Sequence, residues 1–187
     1  MIIIGINGAK GAGKDTVGTH LVSNHGFQRF AFADLLKQSA AALWPNVQPQ
    51  HWDLWKNDPR VEVVITSFGV PIARVSVREF LQRYGTEAHR DVFRDDFWIH
   101  SLAESIGDNS GDVVITDMRF PNEIEAVRLW GGKLWKVVRP GTGQGDNHRS
   151  EHVVPDQEFD AVFVNSMGIE ELHRAVDHEL ERMRERV

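Results

Sequence analysis

The sequence predicts a three-layer α/β fold, a mainly parallel sheet of about five strands between layers of helices. Three observations carry this expectation. Short apolar runs alternate with segments of helical spacing along the whole chain. The chain opens on a buried-strand signal, Met1 to Gly5, followed by Ile6 and Asn7. Directly after it stands Gly8-Ala9-Lys10-Gly11-Ala12-Gly13-Lys14-Asp15-Thr16, the strand, glycine-rich turn and helix start of a P-loop nucleotide-binding protein. Glycines let successive backbone N–H groups converge on one anion, the following helix presents its positive end, and Lys14 adds a full charge. The usual loop has Ser or Thr immediately after the lysine; here Asp15 stands there and Thr16 comes next. Asp15 is therefore only a weak metal-ligand candidate.

The helix after the loop is expected from about Lys14 to Asn24, with Val17, Leu21 and Val22 facing inward, and His25-Gly26 ends it. Phe27 to Phe32 alternates as a second strand. A helix with Asp34 near its start then turns Leu35, Leu36, Ala40 and Leu43 inward and stops near Trp44-Pro45. From Pro45 to about Ser76 no clean strand or helix is legible. This insertion is either a substrate-covering subdomain or a surface excursion with its own aromatic cluster.

Helical spacing returns from Ser76 to Ala88 and from Asp95 to about Ile106, where Phe97, Trp98, Leu102 and Ala103 are apolar. Asp112 to Thr116 reads as a core strand ending in Asp117, Phe120 to Trp130 as a helix with Ile124, Val127 and Leu129, and Lys133 to Val138 as a strand. A long polar loop over 139–158, a strand at Ala161 to Val164 and a charged helix from Ile169 to Arg186 complete the chain.

At 187 residues with 41% hydrophobic content, one domain with insertions over 1–187 is the simplest organisation. Within it, about 45–90 is expected to bind an acceptor and about 139–158 to form a lid. The net charge of −6 argues against a nucleic-acid surface. No apolar run approaches the roughly 20 residues of a membrane span, and no charged region precedes the first apolar stretch. The absence of cysteine excludes disulfides and thiolate metal sites and agrees with a cytoplasmic location. Whether the chain forms a homodimer stays open.

Ligands of such sheets collect at the carboxyl ends of the strands, beside the loop. Asp117, directly after Val-Val-Ile-Thr, is the first metal candidate there, with helix capping as the alternative. Arginines at element ends come next: Arg78, Arg90, Arg119, Arg139 and Arg149. A guanidinium forks onto two phosphate oxygens, and salt bridging to neighbouring carboxylates is the competing use. His148 and His152 lack a third ligand at suitable spacing for zinc. Tyr84 and Trp98 are either core aromatics or base-stacking groups.

Taken together, Gly8 to Thr16, Phe32-Ala-Asp-Leu-Leu-Lys37, Arg78-Glu-Phe-Leu-Gln-Arg-Tyr-Gly-Thr-Glu87 with Arg90 and Trp98, Thr116-Asp-Met-Arg-Phe-Pro-Asn-Glu123, and His148-Arg-Ser-Glu151 with Asn165 resemble the bacteriophage-type deoxynucleoside monophosphate kinases. The similarity spans nearly the whole chain. The resemblance implies Mg²⁺-dependent phosphoryl transfer from ATP to a deoxynucleoside 5′-monophosphate, on more than one base. It implies that residues 8–16 grip the donor phosphates, with Lys14 steadying the moving group and Asp117 ordering magnesium. It places Asp34, Lys37, Arg78, Gln82, Thr86, Arg90, Trp98, His148 and Glu151 on the acceptor side, and Arg119, Arg139 and Arg149 at the transition-state charge. A kinase of another small acceptor, such as dephospho-coenzyme A, and a GTPase-like module are the alternatives. No Asn-Lys-x-Asp guanine-reading motif is present.

Overall fold

The computed structural model describes residues 1–44, 46–107, 109–142 and 154–185. Its backbone divides into two compact units, Met1–Ala31 with Ser105–Val187, and Phe32–Glu104.

The first unit holds five parallel strands in the order β2-β5-β1-β6-β7: β1 Ile3–Asn7, β2 Gln28–Phe30, β5 Val113–Ile115, β6 Lys133–Val138 and β7 Ala161–Val164. Every residue of β1 is buried, as a central strand covered on both faces must be. The strand period of two sorts its side chains. Ile4 and Ile6 join Val17, Leu21, Trp135, Leu172, Val176 and Leu180 in one core cluster under α1 (Lys14–His25) and α7 (Ile169–Arg184). On the other face Gly5 is the close-approach position: a Cβ there would stand 3.0 Å from Met118 Sδ and 3.2 Å from Val127 of α6 (Pro121–Leu129). The expected three-layer, mainly parallel architecture is what the chain adopts.

Some side-chain assignments differ. Val22, expected inward, is 37% exposed, because Val17 and Leu21 already span the buried stripe of α1 and the next residue turns about 100° away from it. His20 takes an interior place instead, at 6% exposure. The second strand is shorter than expected, Phe32 being the first residue of α2.

The second unit contains α2 (Phe32–Ala41), α3 (Pro49–Trp55), an antiparallel hairpin of β3 (Glu62–Ser67) and β4 (Val70–Ser76), α4 (Val77–Gly85), a π-helical turn Thr86–Arg90 and most of α5 (Phe97–Gly107). Leu43 lies beyond the end of α2 and is exposed. The stretch that showed no regular pattern is thus a helix and a hairpin around an aromatic core. Trp52 is buried, stacks on Phe80 at 5.6 Å between centroids, and donates from Nε1 to the Lys37 carbonyl at 3.1 Å. Tyr84 stacks on Phe80, and its hydroxyl lies 2.8 Å from Ser39 Oγ. Tyr84 is therefore a core aromatic.

The hairpin turns at Phe68-Gly69, both at positive φ, 48° and 81°. Two-residue hairpin turns favour Asn-Gly there, and a bulky residue in this region carries strain. Phe68→Asn is expected to stabilise the chain by about 1 kcal/mol, read as a higher midpoint in urea denaturation at unchanged slope.

Candidate active site

The loop between β1 and α1 is shaped by glycines in conformations closed to other residues. Gly8, Gly11 and Gly13 have φ of 153°, 79° and 115°, and Gly13 is the left-handed residue from which α1 departs. A Cβ on Gly13 would come within 2.7 Å of Asn165 Nδ2. The loop closes on itself through Ala12 N donating to the Ala9 carbonyl at 3.1 Å, and α1 begins with Val17 N donating to the Gly13 carbonyl at 3.0 Å. Lys14 Nζ donates to the carbonyls of Gly8 at 2.6 Å and Ala9 at 2.9 Å, so the ammonium sits inside the curl of the loop. A positive helix end and this charge make one anion-binding concavity.

That concavity opens into a cleft of about 520 Å³. Gly11, Gly13, Lys14, Asp15 and Thr16 form one wall, and Arg139 with Pro140 and the segment Asn165, Ser166, Gly168 and Ile169 form the other. Lys10 is exposed at the loop's rim. Arg139 follows β6 and lines the cleft.

Asn165 was visible to sequence reasoning only through the family resemblance, and its structural task is specific. Its side-chain amide donates to the Ala12 carbonyl at 2.9 Å while its backbone N–H donates to Val138 O at 2.7 Å. It thereby braces the phosphate loop from the end of β7. The cue was a polar Asn-Ser pair directly after the last core strand, at the ligand-collecting edge of the sheet.

Asp117 follows β5, half-buried, beside Thr116, whose buried Oγ1 has no hydrogen-bond partner. Glu123, 2% exposed, accepts from Arg119 N at 2.7 Å and from Phe120 N at 3.0 Å through Oε2. Glu123→Ala would leave two N–H groups unsatisfied, and a loss of about 2 kcal/mol in unfolding free energy is expected by chemical denaturation. The Arg119 side chain is exposed and does not line the cleft.

The remaining candidates lie in the second unit. Arg78 Nη2 donates to Asn57 Oδ1 at 2.7 Å. Arg90 is buried, donating through Nη1 to the Asp95 carbonyl at 2.9 Å. Lys37 Nζ lies 2.9 Å from Asp53 and 3.5 Å from Asp34. Burial works to raise the Asp53 carboxyl, and the hydrogen bonds from Lys56 and Lys37 outweigh it and leave it below its ordinary value. Gln82 is half-buried on α4, and Thr86 opens the π-helical turn. Trp98 is 4% exposed and donates from Nε1 to Gly85 O at 2.9 Å, so its ring fastens α5 to the end of α4. His148, Arg149 and Glu151 lie outside the described residues, as does the middle of the expected lid.

A family model described as deoxynucleotide monophosphate kinase matches residues 60–176. A protein of Acanthamoeba polyphaga mimivirus assigned as such a kinase is 30% identical over 190 aligned positions, covering 94% of each chain. The chain belongs to the deoxynucleotide monophosphate kinase family. The deoxynucleotide monophosphate kinase of Escherichia phage RB69 is 32% identical over 106 residues, which cover 54% of this chain and 43% of that protein. A solved kinase structure from Chloroflexus aurantiacus superposes with a TM-score of 0.50 at 12% identity, covering 97% of this chain and 96% of that one, a likeness of fold alone.

Proposed function

We propose that the chain transfers the γ-phosphoryl group of ATP to the phosphate of a deoxynucleoside 5′-monophosphate, yielding ADP and the deoxynucleoside diphosphate. The observation that carries this reading is Lys14 held within a left-handed glycine loop at the mouth of a nucleotide-sized cleft, in a chain of this family. The loop amides of residues 8–16 would hold the donor phosphates, and Lys14 would exchange its carbonyl partners for phosphate oxygens. The wall of Arg139, Pro140, Asn165 and Ile169 would take the nucleoside.

On the acceptor side, the second unit supplies Asp34, Lys37, Arg78, Gln82, Thr86 and Arg90, with Trp98 fixing the element that carries them. Arg78, exposed enough to exchange Asn57 for a ligand, is the first choice for the acceptor phosphate. That phosphate is already an anionic nucleophile at neutral pH, so no strong protein base is required. Positioning and charge stabilisation do the work, with Arg139, which lines the cleft, as the cation for the transferring group.

Magnesium fits the donor set, because Asp15, Thr16 and Asp117 offer only hard oxygen ligands and Asp15 and Thr16 line the cleft. When bound, it would neutralise charge on the donor phosphates. Residues 139–158 would close over the donor, and the loop length suits that task.

A coupled ADP-release assay with ATP and Mg²⁺ tests the proposal against all ribo and deoxy monophosphates, with dephospho-coenzyme A as a control acceptor. Release that depends on one or more deoxynucleotides, and ceases with EDTA, is the expected result. Acceptor-independent hydrolysis, or equal turnover of ribo and deoxy forms, would overturn the acceptor assignment.

A further inference from the structure

A second group of chemically active side chains lies within the first unit, where α1 meets α7. Nε2 of His20 and Nε2 of His25 stand 2.6 and 2.7 Å from the same Asp177 oxygen, Oδ1. These three donor atoms lie within 4.8 Å of one another. The ring of His173 stacks on His20 at 3.9 Å between centroids and 15° between planes.

Two features exceed what helix packing requires. The neighbouring positions on these faces are Val17, Leu21, Val176 and Leu180, so an apolar side chain at position 20 would pack without desolvating a polar ring. In addition, His173 Nε2 is buried with no hydrogen-bond partner among the described residues, an unsatisfied polar atom beside the cluster. The structure therefore gathers borderline nitrogen donors and one carboxylate at the joint between two helices, beside an unsatisfied polar atom.

We propose that His20, His25 and Asp177 form a binding site for a divalent transition-metal ion, zinc by its ligand chemistry, which clips α1 to α7. Two imidazoles and a carboxylate match the donors zinc takes, whereas magnesium prefers oxygen alone. Zinc at about 2.0–2.1 Å from each donor sets tetrahedral donors roughly 3.3 Å apart, so each imidazole retreats from Asp177 by about 0.6 Å. The ion replaces two N–H···O bonds, and each ring then carries its proton on Nδ1. Water completes the coordination, with His173 beside it as a hydrogen-bonding or fourth-ligand group. Both clipped helices start at the nucleotide cleft, α1 at Lys14 and α7 at Ile169, so the ion would fix the rear of the scaffold that shapes it.

The test uses the full chain, free of affinity tag, stripped of metal and without nucleotide. Titration with Co²⁺ followed by visible absorption, and with Zn²⁺ by calorimetry, is expected to show one ion per chain at micromolar or tighter affinity. Zn²⁺ is expected to raise the melting temperature by several degrees. His25→Gln and Asp177→Asn, both at half-buried positions, are each expected to weaken binding at least tenfold while the far-UV spectrum is retained. Lack of stoichiometric binding to the wild-type chain would leave a His-Asp-His hydrogen-bonded clip and overturn the proposal. Unchanged affinity in both variants would place the ion elsewhere and overturn it equally.

Discussion

Replacing Lys14 by alanine is expected to lower kcat by about 10³-fold or more while the chain keeps its fold. The ammonium is positioned by the Gly8 and Ala9 carbonyls, 2.6 and 2.9 Å away, and among the described residues no other lysine lines the cleft. In a water-excluded site, a fixed charge acts on the transferring phosphoryl far more strongly than a solvated one. Its removal costs the fold part-buried hydrogen bonds to the loop, about 1–2 kcal/mol. Lys14→Arg is expected to fail nearly as badly, because a planar fork cannot occupy the curl that a point charge fills. Steady-state ADP release with saturating acceptor, alongside thermal unfolding, separates the two effects. Turnover within tenfold of wild type in the alanine variant would remove Lys14 from the chemistry.

Gly8→Ala should damage both the fold and donor binding. Gly8 has a φ of 153°, and an added Cβ would run into the Val137 carbonyl of β6, a backbone atom in the centre of the sheet that has no room to yield. The loop must shift, and with it the amides that converge on the phosphates. A loss of about 3 kcal/mol or more in unfolding free energy is expected, with KM for ATP raised at least tenfold. Gly26→Ala, at a left-handed helix end with open space around its missing Cβ, is the control. It should cost about 1 kcal/mol and leave KM unchanged.

The parts of the site that were readable in the sequence are those whose signal is local. Gly8 to Thr16 announces itself because spacing, glycine content and the preceding strand occur within sixteen residues. Asp117 and Arg139 could be singled out because strand ends are legible and ligands of such sheets gather there. What escaped depends on partners far along the chain. The burial of His20 was not anticipated, because the carboxylate it meets is 157 residues away. Asn165 reaches back 153 residues to brace the loop.

The β3–β4 hairpin escaped for another reason. Val61 to Ser67 and Val70 to Ser76 alternate as strands should, but a Phe-Gly turn is an unusual signal, and the side chains stay half-exposed instead of joining a large sheet. Inward assignments of Val22 and Leu43 failed because helix geometry fixes which residues one stripe can hold, and Leu43 lies past the end of its helix.

The tryptophans are divided unequally between the units, and this makes the chain its own optical reporter. Trp44, Trp52, Trp55 and Trp98 belong to the second unit, while Trp130 and Trp135 belong to the first. Trp135 is wholly sealed in the sheet core, with no partner for its indole nitrogen. Its emission should be blue-shifted and insensitive to soluble quenchers until the parallel sheet itself opens. With Trp130 replaced by phenylalanine, Trp135 reports that event alone, whereas the quartet follows the other unit. Fluorescence during denaturation can then establish whether the two halves melt together or in succession, without any attached dye.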